Sequence, residues 1–283
     1  MTHPAILEKK LRALEKTCCR SEREDLPPAA QWLRDNARAL YSAVGEAQTA
    51  WHTCKGKKYA ALRACCQQLL AREKGCLTAE RLYAAVEEQQ KARAFTVREL
   101  RALPQMLLLC TVLQLQDVLP QIERECAAYA QGDRLARAAG YKDSAQPLPT
   151  QEAALCRAME VLSESGDVQG LKLMEARLRE KELQPGKVQR DAQTQLSETA
   201  QYMGGVVETL RLLPKLRWDS LMPRLSVASR LLSQERTFRR MDAAGRDLYL
   251  TQVSRIAERA KVPEERVCET ALRLAQAGNG VEA

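Results

Sequence analysis

An all-α fold is what this sequence predicts: about eleven or twelve antiparallel helices, arranged as a helical bundle or an irregular helix-pair solenoid. Three observations carry that expectation. The 283 residues are rich in Ala, Leu, Arg, Glu and Gln, which lose little side-chain entropy in a helix, and aromatic residues make up only 4%. Apolar residues recur at alternating steps of three and four along most of the chain. β-branched runs of strand length are almost absent, so a sheet has little to be built from.

The elements follow in order. Residues 5–17 carry Ile6, Leu7, Leu11 and Leu14 on one helical face. Pro27-Pro28 opens the next helix, where Leu33, Ala37, Leu40, Val44, Ala47 and Trp51 form one narrow apolar seam. The basic turn at 55–58 breaks it, and Tyr59, Leu62, Cys66 and Leu69 mark a third helix that Gly75 ends. Thr78 is placed to cap a fourth, bearing Leu82 and Val86. Thr96-Val97-Arg98-Glu99 matches a capping box, in which a hydroxyl and a carboxylate satisfy reciprocal backbone amides. It leads into a strongly apolar helix through Leu100, Leu103, Met106–Leu109 and Val112-Leu113, which Pro104 and Pro120 are expected to kink or end. Residues 140–150 read as a linker, dividing a first bundle over 1–145 from a second helical subdomain over 150–283. Beyond it, Thr150 and Asp167 are the expected caps of the next two helices, and Pro185-Gly186 reads as a turn. Helices over about 187–212, 219–234, 242–261 and 263–277 complete the chain, the last with acids at its positive end and Gly278 to stop it. No fixed repeat period emerges.

Charge and cysteine usage narrow the functional classes. The net charge is +8, with both signs interspersed over most helix faces as on a solvated surface. One stretch is lopsided: Arg211, Lys215, Arg217, Arg224, Arg230, Arg236, Arg239 and Arg240 face two acids, Asp219 and Glu235, for a net +6. Such a stretch suits an acidic partner or an anionic membrane surface. Ten Cys without a CxxC pair, and only two His, argue against a zinc site and for thiols used as small buried apolar groups in a reducing cytoplasm. There is no apolar signal core and no run of about 18 apolar residues to span a bilayer.

Motifs that carry chemistry are missing from the sequence. No Gly-rich phosphate loop occurs, and Gly204-Gly205 lies within a helical pattern where close helix packing is expected. His3 and His52 lack a nucleophile in motif context. Carboxylates lie beside Arg or Lys on helix faces, as surface pairs do. Trp32 and Trp51 fit core packing, and Trp218 fits a staple-like contact at a helix start, although each ring is also a stacking platform for a glycan. No catalytic residue, cofactor site or metal ligand is therefore expected.

Seven segments, in order, resemble the helical N-terminal region of the cyclic β-1,2-glucan synthases. They are Pro28-Ala29-Ala30-Gln31-Trp32-Leu33-Arg34-Asp35-Asn36, Tyr59-Ala60-Ala61-Leu62, Phe95 to Pro104, Val206 to Arg211, Trp218-Asp219, Met241-Asp242 with Arg246-Asp247 and Tyr249, and Val262 to Ala275. Order and spacing hold across nearly the whole chain. Ala243, Gly245 and Leu250 depart from the family's pattern, and Trp218-Asp219 reverses the order of its counterpart. In that family the helical region precedes membrane-spanning helices, an inverting UDP-glucose-dependent glycosyltransferase domain and a glycoside-phosphorylase-like module, none of which falls within these residues. The resemblance implies a non-catalytic scaffold that presents β-1,2-glucan or docks on the glycosyltransferase domain, at the inner face of the cytoplasmic membrane through a parent or partner chain. Arg246, Asp247, Tyr249 and Trp218 are the contacts it implies for glycan or partner. The rival expectation is an independent basic helical protein that binds an acidic partner or nucleic acid, against which few aromatics are available for base stacking.

Overall fold

The computed structural model describes residues 3–20, 25–73, 77–137 and 147–277. Among the described residues there are fifteen α-helices and no strand, so the fold class is all-α. The chain forms two compact units, each assembled from two segments: unit 1 from residues 1–48 and 111–209, unit 2 from residues 49–110 and 210–283. Two consecutive halves joined at 140–150 were expected. The unit boundaries instead fall inside helices, at 48/49, 110/111 and 209/210. Residues 140–146 of the expected linker lie outside the described residues, as do Gly75 and Gly278, the expected helix ends.

Unit 1 contains α1 (Pro4–Arg20), α2 (Pro28–Asp35), most of α3 (Ala37–Cys54), most of α7 (Leu103–Arg137), α8 (Glu152–Glu164), α9 (Val168–Glu180) and nearly all of α10 (Pro185–Leu212). The seam read over 33–51 is buried at Leu33, Leu40, Val44 and Ala47. One helix was expected there, but Asn36 interrupts it: its side-chain amide donates to the Trp32 carbonyl at 2.8 Å, closing α2 before α3 begins. Pro120 does not end α7, a helix of 35 residues that runs on to Arg137. A cluster of Ala136, Leu155, Ala158, Met159, Leu162, Met174, Leu178 and Val188 forms the core around α8 and α9. α8 stops at Gly166, whose φ of +73° places it in the left-handed region where a Cβ is costly. Asp167 caps α9 as expected, accepting from Gly170 N at 2.8 Å. Thr150 does not cap α8, because that helix starts two residues later, after Gln151. Pro185 is no turn residue. It is the first residue of α10, where its missing N–H has no helical acceptor to lose, and Glu182 makes the turn at φ 59°.

Unit 2 contains the end of α3, a 3₁₀ turn at Lys57–Tyr59, α4 (Ala60–Glu73), α5 (Ala79–Ala92), α6 (Val97–Arg101), the start of α7, α11 (Trp218–Leu225), α12 (Val227–Leu232), α13 (Arg236–Arg240), α14 (Ala243–Ala260) and α15 (Glu264–Ala277). Thr78 caps α5 through Arg81 N at 3.3 Å. The capping box at Thr96 forms, with Glu99 N to Thr96 Oγ1 at 3.2 Å and Thr96 N to Glu99 Oε2 at 2.9 Å. The chain then breaks at Ala102, two residues before Pro104, so α6 and α7 are separate helices. The single helix expected over 219–234 is likewise two, because Ser226 leaves helical geometry and caps α12 through Ser229 N at 3.1 Å. These interruptions raise the count from about a dozen to fifteen. Val97, Ala228, Leu232, Phe238, Val253 and Cys268 form the core of α6 and α12–α15.

Candidate functional site

The basic stretch lies wholly in unit 2. Leu221, Leu225, Ala228, Leu232 and Phe238 turn inward, so the bases between them are left facing water. Arg211, Lys215, Arg217, Arg224, Arg230, Arg236, Arg239 and Arg240 are all exposed. The Arg224 guanidinium lies 4.7 Å from the centre of the Tyr83 ring, a cation–π contact that holds one of them in place. Among the described residues, Lys215, Arg217, Arg230, Arg236, Arg239 and Arg240 take part in no ion pair. One of the two local acids is occupied: Glu235 caps α13 by accepting from Phe238 N at 2.9 Å, and that bond holds its carboxyl below the usual range. The stretch therefore keeps most of its positive charge pointing outward.

Tyr249, Asp247 and Arg246 share α14 without sharing a site. The half-buried Tyr249 ring meets Phe238 edge-on, with centroids 6.4 Å apart at 82°, as part of the unit 2 core. Asp247 faces α6 instead: Arg101 Nη2 donates to its carboxylate at 2.5 Å and to Thr251 Oγ1 at 2.9 Å. Arg101 stands 146 residues away from Asp247 in sequence. Arg246 is half-buried, one turn after the cap in which Asp242 accepts from Gly245 N at 2.7 Å. Trp218 begins α11, and its indole N–H donates to the Leu213 carbonyl at 3.2 Å, tying the helix start to the preceding 3₁₀ turn.

Arg101 also borders the cleft nearest to these residues, a space of about 270 Å³ lined by Thr53, Tyr59, Arg98, Gln105, Ser254 and Arg255, among others. Arg98 crosses it to Glu258 at 2.5 Å. Both ends of that pair are more than half exposed, so it contributes little stability and is screened by salt.

A network missed by sequence reasoning stands at the start of α6. Glu264 was expected to support its own helix. It is buried and reaches α6, where its carboxylate accepts from Val97 N at 2.8 Å and from the Ser254 hydroxyl. Beside it, Glu99 receives both arms of Arg93, with contacts of 3.0–3.1 Å. Burial pushes the Glu264 carboxyl up, and the hydrogen bonds from Ser254 and Val97 offset only part of that. The one available signal was an acid following Pro263, which serves a local cap equally well.

Six of the described thiols are packed as small apolar groups. Cys54, Cys65, Cys66, Cys110, Cys156 and Cys268 are buried and unpaired. Burial pushes Cys110, Cys156 and Cys268 up to about 12, so these three stay thiols at neutral pH. Among the described residues no group of three His, Cys, Asp or Glu is placed to hold a metal ion. No described helix is long and apolar enough to cross a membrane. Gly204 packs against Trp32, as expected of a close helix contact: a Cβ there would stand 3.5 Å from the indole ring. No family model matches the chain, and no curated protein matches it.

Proposed function

We propose that this chain is a non-catalytic helical docking region, of the kind found at the N-terminus of cyclic β-1,2-glucan synthase-like proteins, and that it meets an acidic partner surface through the Arg211–Arg240 stretch of unit 2. The observation that carries this reading is the outward placement of all eight bases, most of them without an internal counter-charge. The resembling segments support it from another side. Pro28–Asn36 supplies α2 and its stop, Phe95–Pro104 the capping box and the α6–α7 break, Met241–Tyr249 a cap and a core ring. The shared residues thus do architectural work, as expected of a common fold with its engine elsewhere. The resemblance points to a glycosyltransferase domain at the cytoplasmic membrane face as the partner. Arg246, Asp247, Tyr249 and Trp218 contribute less to a glycan contact than to the fold, since Asp247, Tyr249 and Trp218 have internal partners.

The test is a binding titration of the full chain against a fluorescent poly-glutamate peptide and a single-stranded oligonucleotide over a salt series. Peptide binding that weakens with salt and disappears in an Arg230→Glu, Arg236→Glu, Arg239→Glu, Arg240→Glu variant supports docking. Binding of the oligonucleotide alone moves the assignment to nucleic acid. Equal binding by the variant removes the basic stretch from the function, and turnover of UDP-glucose by the isolated chain overturns the non-catalytic reading.

A further inference from the structure

The seam between α7 and α10 in unit 1 has a chemistry opposite to the rest of this basic chain. A groove of about 390 Å³ opens along it, lined on α7 by Asp117, Val118 and Gln121 and on α10 by Glu198, Thr199 and Tyr202, with Gln195 beside them. Among the described residues no Lys or Arg lines it, in a chain of net charge +8. Glu125 is held behind this lining: one turn after Gln121 and 3% exposed, it accepts at Oε1 from Thr199 Oγ1 at 2.6 Å and from Gln121 Nε2 at 3.1 Å, both groove-lining side chains. Its other oxygen, Oε2, is buried with no hydrogen-bond partner, and so is Oε1 of Gln114 farther back on the same helix. Gln114, Val118, Gln121 and Glu125 follow at steps of four and three, so they form one stripe along about 16 Å of α7. Arg124, the cation next to Glu125 in sequence, donates to the Pro120 carbonyl at 3.4 Å. Buried acceptors without partners call for a donor.

We propose that this seam binds a small aliphatic ammonium compound of the diamine or polyamine class, with an amino group on Glu125 and the chain running along Val118 toward Tyr202. Three features select that class. An ammonium brings three donors and a positive charge to a groove that has carboxylates and amide oxygens but no cation. The acids are spread along the seam rather than gathered, and no three of the described His, Cys, Asp or Glu residues can converge on one metal ion, so the cation must be extended. Tyr202 is half-buried, and burial pushes its phenol up, so it stays neutral and offers a π-face to a cation. Burial likewise pushes the Glu125 carboxyl up, and the bonds from Thr199 and Gln121 and the charge of Arg124 offset only part of that. A diffuse ion atmosphere does not produce this preference, because the chain as a whole repels cations.

The experiment is calorimetric titration of the full chain with spermidine and with putrescine, at low ionic strength and at about 0.15 M salt. One saturable site is expected, weakened about tenfold or more by Glu125→Gln and by Tyr202→Leu, and unchanged by Glu258→Gln in unit 2. Absence of binding at low salt, or equal affinity in Glu125→Gln, overturns the proposal. If circular dichroism shows Glu125→Gln to be unfolded, the exposed Glu198→Gln variant decides: a several-fold loss upholds the site, and unchanged affinity removes it.

Discussion

Two buried charges, one in each unit, are compensated in opposite ways. Unit 1 buries a cation: Arg157, with its side chain 8% exposed, bonds Asp133 and Asp25 at 2.9 Å each, approaches Glu160 and Glu164 at 3.6 and 3.8 Å, and lies 5.6 Å from the Tyr129 ring. Burial works against that guanidinium's charge, but its bonds to Asp133 and Asp25 outweigh it and hold the pKa above the ordinary arginine range. Unit 2 buries a carboxylate, Glu264, and answers it with a backbone amide and a hydroxyl instead of a counter-ion. Full ionic compensation tolerates deep burial of both partners. Compensation by helix amides leaves a residual cost, visible as the raised Glu264 carboxyl.

Breaking the ionic side should cost most. Arg157→Ala takes the guanidinium partner from Asp133, whose side chain is 4% exposed, and urea unfolding should show a loss of about 3–5 kcal/mol. Adding Asp133→Leu to Arg157→Met should recover most of the loss. If it does not, the network's value lies in its bonds to Asp25 and the glutamates. Gly132→Ala comes next. A Cβ there would stand 2.5 Å from the Ala154 carbonyl oxygen and 2.9 Å from Arg157 Cβ, so α7 and α8 must move apart, at about 1–3 kcal/mol despite the better helix propensity of Ala.

The unit 2 side is tested at Glu264. Glu264→Ala orphans the Val97 amide and should cost about 1–3 kcal/mol. The pH dependence sharpens this. The folded Glu264 carboxyl titrates above its unfolded value of 4.5, so folding favours the protonated form. Its contribution is most favourable below pH 4.5 and declines as pH rises through the raised folded value, then stays level. Glu264→Gln should remove this slope, seen as a flatter difference in urea midpoint across the acid range. An unchanged slope assigns it to another carboxyl. The smallest effect is a gain: at Gly204 a Cβ makes ordinary contact with Trp32 at 3.5 Å, so Gly204→Ala should raise stability by about 0.5–1 kcal/mol. A loss there shows that the Trp32 ring cannot yield.

Local chemistry was the legible part of the fold. The capping box at Thr96 and the caps at Thr78 and Asp167 each depend on residues within one turn, and each formed as expected, while the 33–51 seam is buried at Leu33, Leu40, Val44 and Ala47 but on two helices. Helix breaks at Asn36 and Ser226 were not legible, because both residues also suit a helix interior or surface and the packing decides, whereas the break at Ala102 falls two residues before Pro104, where a kink or end was expected. The unit boundaries were missed for a related reason: a Pro- and Gly-containing stretch marks a turn, while the true boundaries run through helices without any compositional shift. At the candidate site, the basic stretch could be counted from sequence. The Arg101–Asp247 and Val97–Glu264 bonds could not, since they join residues 146 and 167 positions apart.

The interleaving of the two units sets the order in which the chain can fold as it leaves the ribosome. Residues 49–110 are synthesised early but must wait for 210–283, while unit 1 has all its parts once Thr209 emerges. During that interval the apolar faces of α4 and α5, with Leu62, Leu69, Leu70, Leu82 and Val86, lack the final segment of their unit. Pairings of such long sequence separation lower the folding rate through loop-closure entropy and lengthen exposure to aggregation. A nascent chain stalled after Thr209 should therefore present one protease-resistant unit and one chaperone substrate.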